Sequence, residues 1–376
     1  MLKIISLIIF TLFSNLNSML AEKVDHETKN EFESLDWQKP EKIHCSNRVF
    51  NKEAIKKIYK LSNRRVAIIF NCFNSEIKIF DIDSKKHLKT LPDCNRIYYL
   101  QEIPKDRLIS LSENREETYL YVKVWDLKSF KLLKKFIFNS SEKKGMYFFA
   151  SIVYLNNEKL LVIFPEKAIC TIDLESGEYR VSKTNLQYIR DIHNFYGGFI
   201  AYKYHPLSIL IFDNNFNITH SIPCPNDIDK IKTLNHDQFL ALRNKCAFLY
   251  NFQNIDKIKQ QLCDHINVND INNIILDYLG KTLEDKYLKN ERDLNNFTAL
   301  SNNIIISHCD CHEHIRLYQI NPYKLIKEID IKKLIYETYG KHYPVYDFIV
   351  FEDNTIVLQG WNDIFICRPN TQNQNS

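Results

Sequence analysis

Short strands of alternating hydrophobicity recur at regular spacing along the chain. Each copy reads apolar, polar, apolar, aromatic, aspartate, apolar, as in Ile77–Ile82 and Val122–Leu127. Five copies follow the pattern less closely: Cys170–Leu174, Leu210–Asp213, Ala247–Asn251, Ile315–Gln319 and Asp363–Cys367. Alternation of this kind is typical of β-strands, and a period of about 40–45 residues with polar turns predicts the four-stranded blades of a β-propeller.

One repeat carries a family resemblance. Its strand ends in Trp125-Asp126-Leu127 and is followed by Lys128-Ser129. This sequence resembles the repeats of the WD-repeat propellers. The resemblance extends over about residues 42–370 and implies a propeller that binds other proteins. The Gly-His dipeptide typical of that family is missing from every repeat, so we carry over no individual functional residue.

The seven copies predict an all-β, seven-bladed propeller closed by an N-terminal strand. The last copy ends near Arg368 and leaves no room for a fourth strand, whereas Glu41–Phe50 precedes the first blade and can supply it. Ring closure would remove an exposed sheet edge. We therefore predict a leader over residues 1–21, a lead-in segment over 22–41, the propeller over 42–370 and a polar tail over 371–376.

The step between the fifth and sixth copies is longer than the others. The extra residues, 264–293, predict a helical hairpin inserted between blades five and six, because apolar side chains recur there at helical spacing. They are Ile271, Ile274, Ile275, Tyr278 and Leu279. Such a stripe either packs on the parent domain or binds a partner, since blade insertions map to binding faces.

The N-terminus has the pattern of a secretory leader. Lys3 precedes the apolar run Ile4–Phe13, and small or polar residues follow up to Ala21. The apolar run is shorter than the roughly 20 residues of a membrane-spanning helix. We therefore expect a cleaved leader and a secreted or periplasmic protein. An uncleaved membrane anchor and a cytoplasmic protein remain the alternatives.

The ten cysteines are scattered rather than arranged as a compact disulfide framework. Several fall inside apolar strands, as Cys170 does, where a small buried thiol fits well. This distribution disagrees with export into an oxidising compartment, and we give the leader more weight. Three glycosylation sequons, at Asn139, Asn217 and Asn296, matter only in a eukaryotic secretory pathway.

One segment concentrates residues that bind metals. His308, Cys309, Cys311, His312 and His314 lie within seven positions, and thiolates and imidazoles suit zinc or copper. On one extended strand, however, alternate residues point to opposite faces. The segment is therefore a metal site gathered by a tight turn, a polar hairpin tip between two strands of blade six, or a disulfide-bonded turn.

Composition excludes several classes of function. With only 7 glycines, the chain has no glycine-rich phosphate loop, dinucleotide-binding fingerprint or nucleophile elbow. The net charge is +4 with both signs interleaved, whereas nucleic-acid binding needs many cations on one face. The recurring Asp81, Asp126, Asp173 and Asp213 are best explained as turn residues, so we predict no catalytic residue and no cofactor.

Together these features predict a monomeric, non-enzymatic platform that binds another protein. We expect no nucleic-acid binding and, once the leader is cleaved, no stable membrane insertion. Two alternatives stay open. An intracellular adaptor would bind its partner through residues 264–293, where Ile271–Leu279 is loosely similar to the first helix of an F-box. A metal-binding or enzymatic propeller would use residues 308–314.

Overall fold

The structure is a computed structural model of the chain. It describes residues 37–45, 54–70, 76–93, 96–114, 119–139, 151–155, 158–164, 168–183, 189–195, 198–204, 207–213, 217–223, 230–233, 238–243, 246–251, 281–282, 296–301, 304–309, 314–319 and 324–369. The predicted leader, most of the lead-in segment and the tail lie outside these residues. None of the helices in the described part is long and apolar enough to cross a membrane.

The described residues form an all-β propeller of four-stranded antiparallel sheets. The first sheet consists of β2 (Ile55–Leu61), β3 (Arg65–Phe70), β4 (Glu76–Asp81) and β5 (Lys86–Pro92). The second consists of β6 (Arg96–Ile103), β7 (Arg107–Asn114), β8 (Tyr119–Asp126) and β9 (Leu132–Asn139). The third consists of β10 (Ser151–Leu155), β11 (Lys159–Phe164), β12 (Ala168–Asp173) and β13 (Tyr179–Lys183).

Three more sheets follow in chain order. The fourth consists of β14 (Ile189–Phe195), β15 (Gly198–Tyr204), β16 (Leu207–Phe212) and β17 (Ile218–Pro223). The fifth consists of β18 (Lys230–Thr233), β19 (Gln238–Arg243), β20 (Cys246–Asn251) and β21 (Lys281–Thr282). The sixth consists of β22 (Asn296–Ser301), β23 (Ile304–Cys309), β24 (His314–Gln319) and β25 (Lys324–Asp330).

The seventh sheet joins both ends of the described chain. It contains β26 (Asp347–Val350), β27 (Ile356–Gln359), β28 (Asp363–Cys367) and, paired with β28, β1 (Glu41–His44). The pairing places Glu41 opposite Ile366 and His44 opposite Asp363. A bridge between Trp37 and Pro369 extends the contact beyond β1.

The sheets stand side by side around an axis, as the blades of a propeller do. The first strands of successive sheets are neighbours in the order β22, β26, β2, β6, β10, β14, β18. Hydrophobic clusters fill the spaces between sheets, as between the second and third and between the seventh and first. Strands such as β3 and β28 are buried on both faces for this reason.

The recurring strands lie where the repeat predicts them: the first six copies form the third strand of their sheets in chain order, and the seventh, β28, is the third strand counted from β26. The turn role of the recurring aspartates is also confirmed. Their carboxylates accept hydrogen bonds from backbone N–H groups a few residues later: Asp81 from Ser84 (2.6 Å), Asp126 from Ser129 (2.9 Å), Asp173 from Ser176 (2.8 Å) and Asp213 from Asn217 (2.9 Å).

These turns define two faces of the propeller. The lower face carries the turns between first and second strands and between third and fourth strands, such as residues 62–64 and 82–85. The upper face lies at the opposite ends of the strands, where β2 and β28 begin.

A helix, α1 (Ile331–Tyr339), follows the sixth sheet. The Asp330 carboxylate accepts a hydrogen bond from the Lys333 N–H and caps its first turn. Gly340, at φ 65°, ends it in the left-handed conformation that glycine adopts without strain. Ile331 and Ile335 face a cluster shared by the sixth and seventh sheets, so α1 fills the space between them.

The position of β21 corrects the predicted insertion. Lys281 and Thr282 lie inside residues 264–293 but pair with Leu249 and Phe248 as the fourth strand of the fifth sheet. This part of the predicted insertion therefore belongs to the fifth sheet. The remainder of the predicted insertion lies outside the described residues.

Candidate functional site

Two of the predicted metal ligands, His308 and His314, lie on opposite faces of the sixth sheet. His308 pairs with Ile315, the neighbour of His314 along β24. Residues that are directly opposite in an antiparallel pair share a face, and successive residues alternate. His308 and His314 therefore point to opposite sides of the sheet.

Each of these histidines has its own surroundings. The His308 side chain is fully buried, and its ring lies 6.2 Å from that of Phe348 in the seventh sheet. His314 faces Glu328, with 3.6 Å between its Nδ1 and a carboxylate oxygen. Among the described residues, no three His, Cys, Asp or Glu side chains gather as a metal site. Cys311 and His312 lie outside the description, and of Cys309 only the backbone is described.

The predicted partner-binding residues of the insertion are not described by the structure. This group comprises Ile271, Ile274, Ile275, Tyr278 and Leu279. Their role in binding a partner stays a prediction.

An exposed aromatic pair stands on the upper face of the seventh sheet. Trp361 is 49% exposed and Tyr346 is 40% exposed, and their ring centroids lie 5.9 Å apart at an interplanar angle of 57°. Large aromatic side chains with one accessible face are characteristic anchors of protein interfaces. This pair is therefore the core of the candidate site.

The turn that carries Trp361 is held from both sides. Tyr346 N–H donates to the Gln359 carbonyl at 2.8 Å, and Gly360 N–H donates to the Asp363 carbonyl at 2.8 Å. A Cβ atom on Gly360 would lie 3.0 Å from the Phe365 ring and 3.1 Å from the Asp363 oxygen. The sequence thus needs glycine here because the backbone approaches its neighbours closely.

The first sheet fixes the same turn. Ile55 N–H donates to the Trp361 carbonyl at 2.7 Å, and the buried Gln359 side chain donates to the Ile55 carbonyl at 3.0 Å. The aromatic pair therefore belongs to a rigid junction between two sheets. A rigid anchor loses little conformational entropy when a partner binds.

Polar side chains from adjacent strands lie beside this turn. Asp363 is buried, forms a hydrogen bond with His44 and forms an ion pair with Lys42 at 2.9 Å. Lys42 also donates to the Tyr343 hydroxyl at 3.1 Å and lies 4.4 Å from the centre of its ring. Burial opposes the charged form of Lys42, but the hydrogen bonds to Asp363 and Tyr343 outweigh it and raise its pKa. Asp363 thus orients the His44 ring, whose side chain is 70% exposed.

The adjacent Cys45 does not complete a nucleophilic site. Its thiol is buried, and burial with the nearby Asp363 charge raises its pKa to about 12. A thiol of this kind stays protonated near neutral pH and is a poor nucleophile. The arrangement therefore offers a stacking surface and hydrogen-bonding groups, which are the elements of a recognition site.

The lower face at the junction of the seventh and first sheets carries an ion-pair network. Arg64 contacts Asp83 at 3.0 Å and Asp353 at 2.5 Å. Arg368 contacts Asp83 at 3.0 Å and Glu41 at 3.4 Å. Hydrogen bonds from Arg64 and Arg368 lower the pKa of Asp83 despite some desolvation. These charges are mutually paired across sheets, so the network stabilises the junction.

Sequence reasoning missed the upper-face site because part of it, Lys42 and His44, comes from more than 300 positions away from Trp361 and Asp363. His44 and Asp363 become neighbours only through the pairing of β1 with β28. A signal exists nevertheless: Trp361 is one of 3 tryptophans and directly follows one of 7 glycines in a strand connection. A large aromatic residue in such a connection is a candidate for an exposed anchor.

Comparisons with known proteins give no family for the chain. No family model matches it, and no curated protein matches its sequence significantly. The site must therefore be interpreted from its own geometry.

Proposed function

We propose that the protein is a non-enzymatic platform that binds another protein through the upper face of its propeller. The observation that carries this proposal is the exposed Tyr346–Trp361 pair on a turn anchored to two sheets. Propeller folds host many functions, so this geometry supports binding better than the fold alone does.

The finer architecture belongs to the same proposal. We infer a ring of seven blades related to the WD-repeat type, with β1 as its closing strand. Seven four-stranded sheets and the pairing of β1 with β28 support this inference. The chain is proposed to act as an exported monomer, and its intact mass from the native source tests export: retention of residues 1–21 would contradict it.

Site-specific photo-crosslinking tests the binding surface. A photoreactive phenylalanine analogue replaces Tyr346 in cells that naturally make the protein, and the matched control replaces Tyr336, which is 58% exposed on α1. We expect a discrete protein adduct from position 346 that is absent from position 336 and is lost when Trp361→Ser is added.

The substitution at Trp361 must leave the fold intact for this test. Because about half of the side chain is buried, Trp361→Ser should cost about 2 kcal/mol in the free energy of unfolding, and a cooperative unfolding transition of the variant shows that its fold is intact. Identical adducts from positions 346 and 336, or an adduct unaffected by Trp361→Ser, would contradict the proposal.

A further inference from the structure

The inner strands of the first and second sheets extend the aromatic surface with positive charge. In β2 the register shifts between Ile55 and Lys57, and in β6 it shifts between Ile97 and Tyr99. Each shift marks an extra residue, as in a β-bulge, and bulges redirect side chains. The extra residues are Lys56 and Tyr98, at equivalent positions on the upper face.

These residues contact each other across the two sheets. Lys56 Nζ donates to the Ile97 carbonyl at 2.6 Å and lies 5.5 Å from the centre of the Tyr98 ring. The Arg96 guanidinium lies 5.2 Å from the same ring. Two cations thus flank Tyr98, and cation–π attraction restricts their positions.

The strand that carries Lys56 is hydrogen-bonded to the turn that carries the aromatic pair. Ile55 bonds to the Trp361 carbonyl, and Lys56 is the next residue, about 3.8 Å further along the chain. We call the surface formed by Tyr346, Trp361, Lys56, Tyr98 and Arg96 the upper patch. It crosses the seventh, first and second sheets.

Acidic groups also lie near the upper patch. The Tyr98 hydroxyl donates a hydrogen bond to the Glu113 carboxylate. The half-buried Asp347 carboxylate accepts a hydrogen bond from the Phe348 N–H at 2.7 Å. Against these, Lys56 and Lys57 are exposed and Arg96 is half-buried. These three cations outnumber the two carboxylates, Glu113 and Asp347, beside the two exposed aromatic rings.

We propose that the upper patch binds an acidic peptide segment of the partner protein. An apolar side chain of the peptide stacks on Trp361 and Tyr346, and its carboxylates pair with Lys56 and Arg96. This inference rests on the proposed function and adds the chemistry of the partner. The small number of cations favours a peptide over nucleic acid, because each neutralised phosphate of DNA needs its own cation and typical proteins contact several.

Direct binding measurements test this inference with the purified full chain. The probe is a fluorescent peptide rich in glutamate with one central phenylalanine, and the comparison peptide replaces each glutamate by glutamine. We expect binding of the acidic peptide alone. The double variant Lys56→Gln/Arg96→Gln should weaken it about tenfold, since each partly exposed ion pair contributes up to about 1 kcal/mol.

Two further variants separate the contributions. Trp361→Ser should also weaken peptide binding, whereas Lys128→Gln, on the lower face with its side chain 77% exposed, should leave it unchanged. Binding should weaken as salt is added. Equal binding of the glutamine peptide, or tighter binding of single-stranded DNA or anionic vesicles than of the acidic peptide, would overturn the inference.

Failure of the acidic-peptide inference can be distinguished from failure of the proposed protein-binding function. If the adduct at position 346 forms and depends on Trp361, but Lys56→Gln/Arg96→Gln changes neither the adduct nor peptide binding, the platform stands and the acidic partner is wrong. If no adduct forms at position 346, the proposed binding of a protein at the upper face is itself contradicted.

Discussion

Asp93 and Lys123 form an ion pair inside the second sheet, where the Asp93 side chain is fully buried and that of Lys123 is 9% exposed. Asp93 also accepts hydrogen bonds from Ser110 at 3.0 Å and Ser112 at 3.1 Å. The Trp125 indole N–H donates to Ser110 at 3.1 Å. The carboxylate thereby ties the connection after β5 to β7 and β8.

Removal of one member of this pair should be strongly destabilising. Lys123→Met leaves the Asp93 carboxylate buried without its cation, and we expect a loss of about 3–5 kcal/mol in the free energy of unfolding. Asp93→Asn/Lys123→Met should recover part of this loss, because no buried charge remains. Chemical denaturation measures both variants, with Lys89→Met on the exposed part of β5 as control. Equal losses for Lys123→Met and Lys89→Met would contradict the buried pair.

Two glycines should respond differently to alanine. A Cβ atom on Gly198 would lie 1.9 Å from the Phe212 carbonyl oxygen, which is backbone of the adjacent strand. Gly198→Ala should therefore displace β15 from β16 and cost about 3 kcal/mol or more. Gly340 has open space around it but a φ of 65°, so Gly340→Ala should cost only about 1 kcal/mol. Thermal melting of both variants checks the order, and the reverse order would contradict the packing of β15.

Acid should weaken the junction between the seventh and first sheets. Arg64 and Arg368 lower the pKa of Asp83 in the folded protein, so its ion pairs stabilise the fold above the unfolded pKa of about 3.9. This stabilisation is lost as the pH falls through the folded pKa. Asp83→Asn should reduce stability by about 1 kcal/mol or less near neutral pH.

Denaturation curves from about pH 7 to about pH 2 measure this linkage. The difference between Asp83→Asn and the parent protein should shrink toward zero at the acid end and with added salt. The exposed Glu178→Gln serves as control. A difference that grows on acidification would show that Asp83 is not paired as described.

Three cysteines should resist thiol reagents in the folded protein. Cys45, Cys170 and Cys367 are free and buried, and burial raises the pKa of each thiol to about 12. Near pH 8 only about one thiol in ten thousand is ionised at such a pKa. Mass-spectrometric mapping of alkylated peptides should show modification of these three residues only after denaturation. Rapid labelling of the native chain would contradict their burial.

The third strands were predictable because their pattern is local. Apolar positions alternate within each copy, and the terminal aspartate forms the following turn through its own neighbours, as Asp126 does with Ser129. Helix α1 also had local signals, namely the Asp330 cap, the spacing of Ile331 and Ile335, and Gly340. Residues 331–339 were nevertheless not predicted to be helical.

The remaining features depend on contacts that no local pattern encodes. Lys123 occupies a polar position within β8 and would be expected at a surface, yet the neighbouring connection covers it and supplies Asp93. Similarly, the dense run of histidines and cysteines is compatible with a metal site, a hairpin tip or a disulfide-bonded turn, and only the strand pairing shows that His308 and His314 point to opposite faces. Tertiary pairing, rather than composition, determines both outcomes.

The pairing of β1 with β28 gives the protein a particular mechanical behaviour. Glu41 enters β1 and Cys367 leaves β28 at the same edge of the seventh sheet. A force applied to the two described ends therefore peels these strands apart, so that their hydrogen bonds break one after another rather than all at once. When the two described ends are pulled apart, the pairing of β1 with β28 should therefore break at low force, before the other sheets unfold.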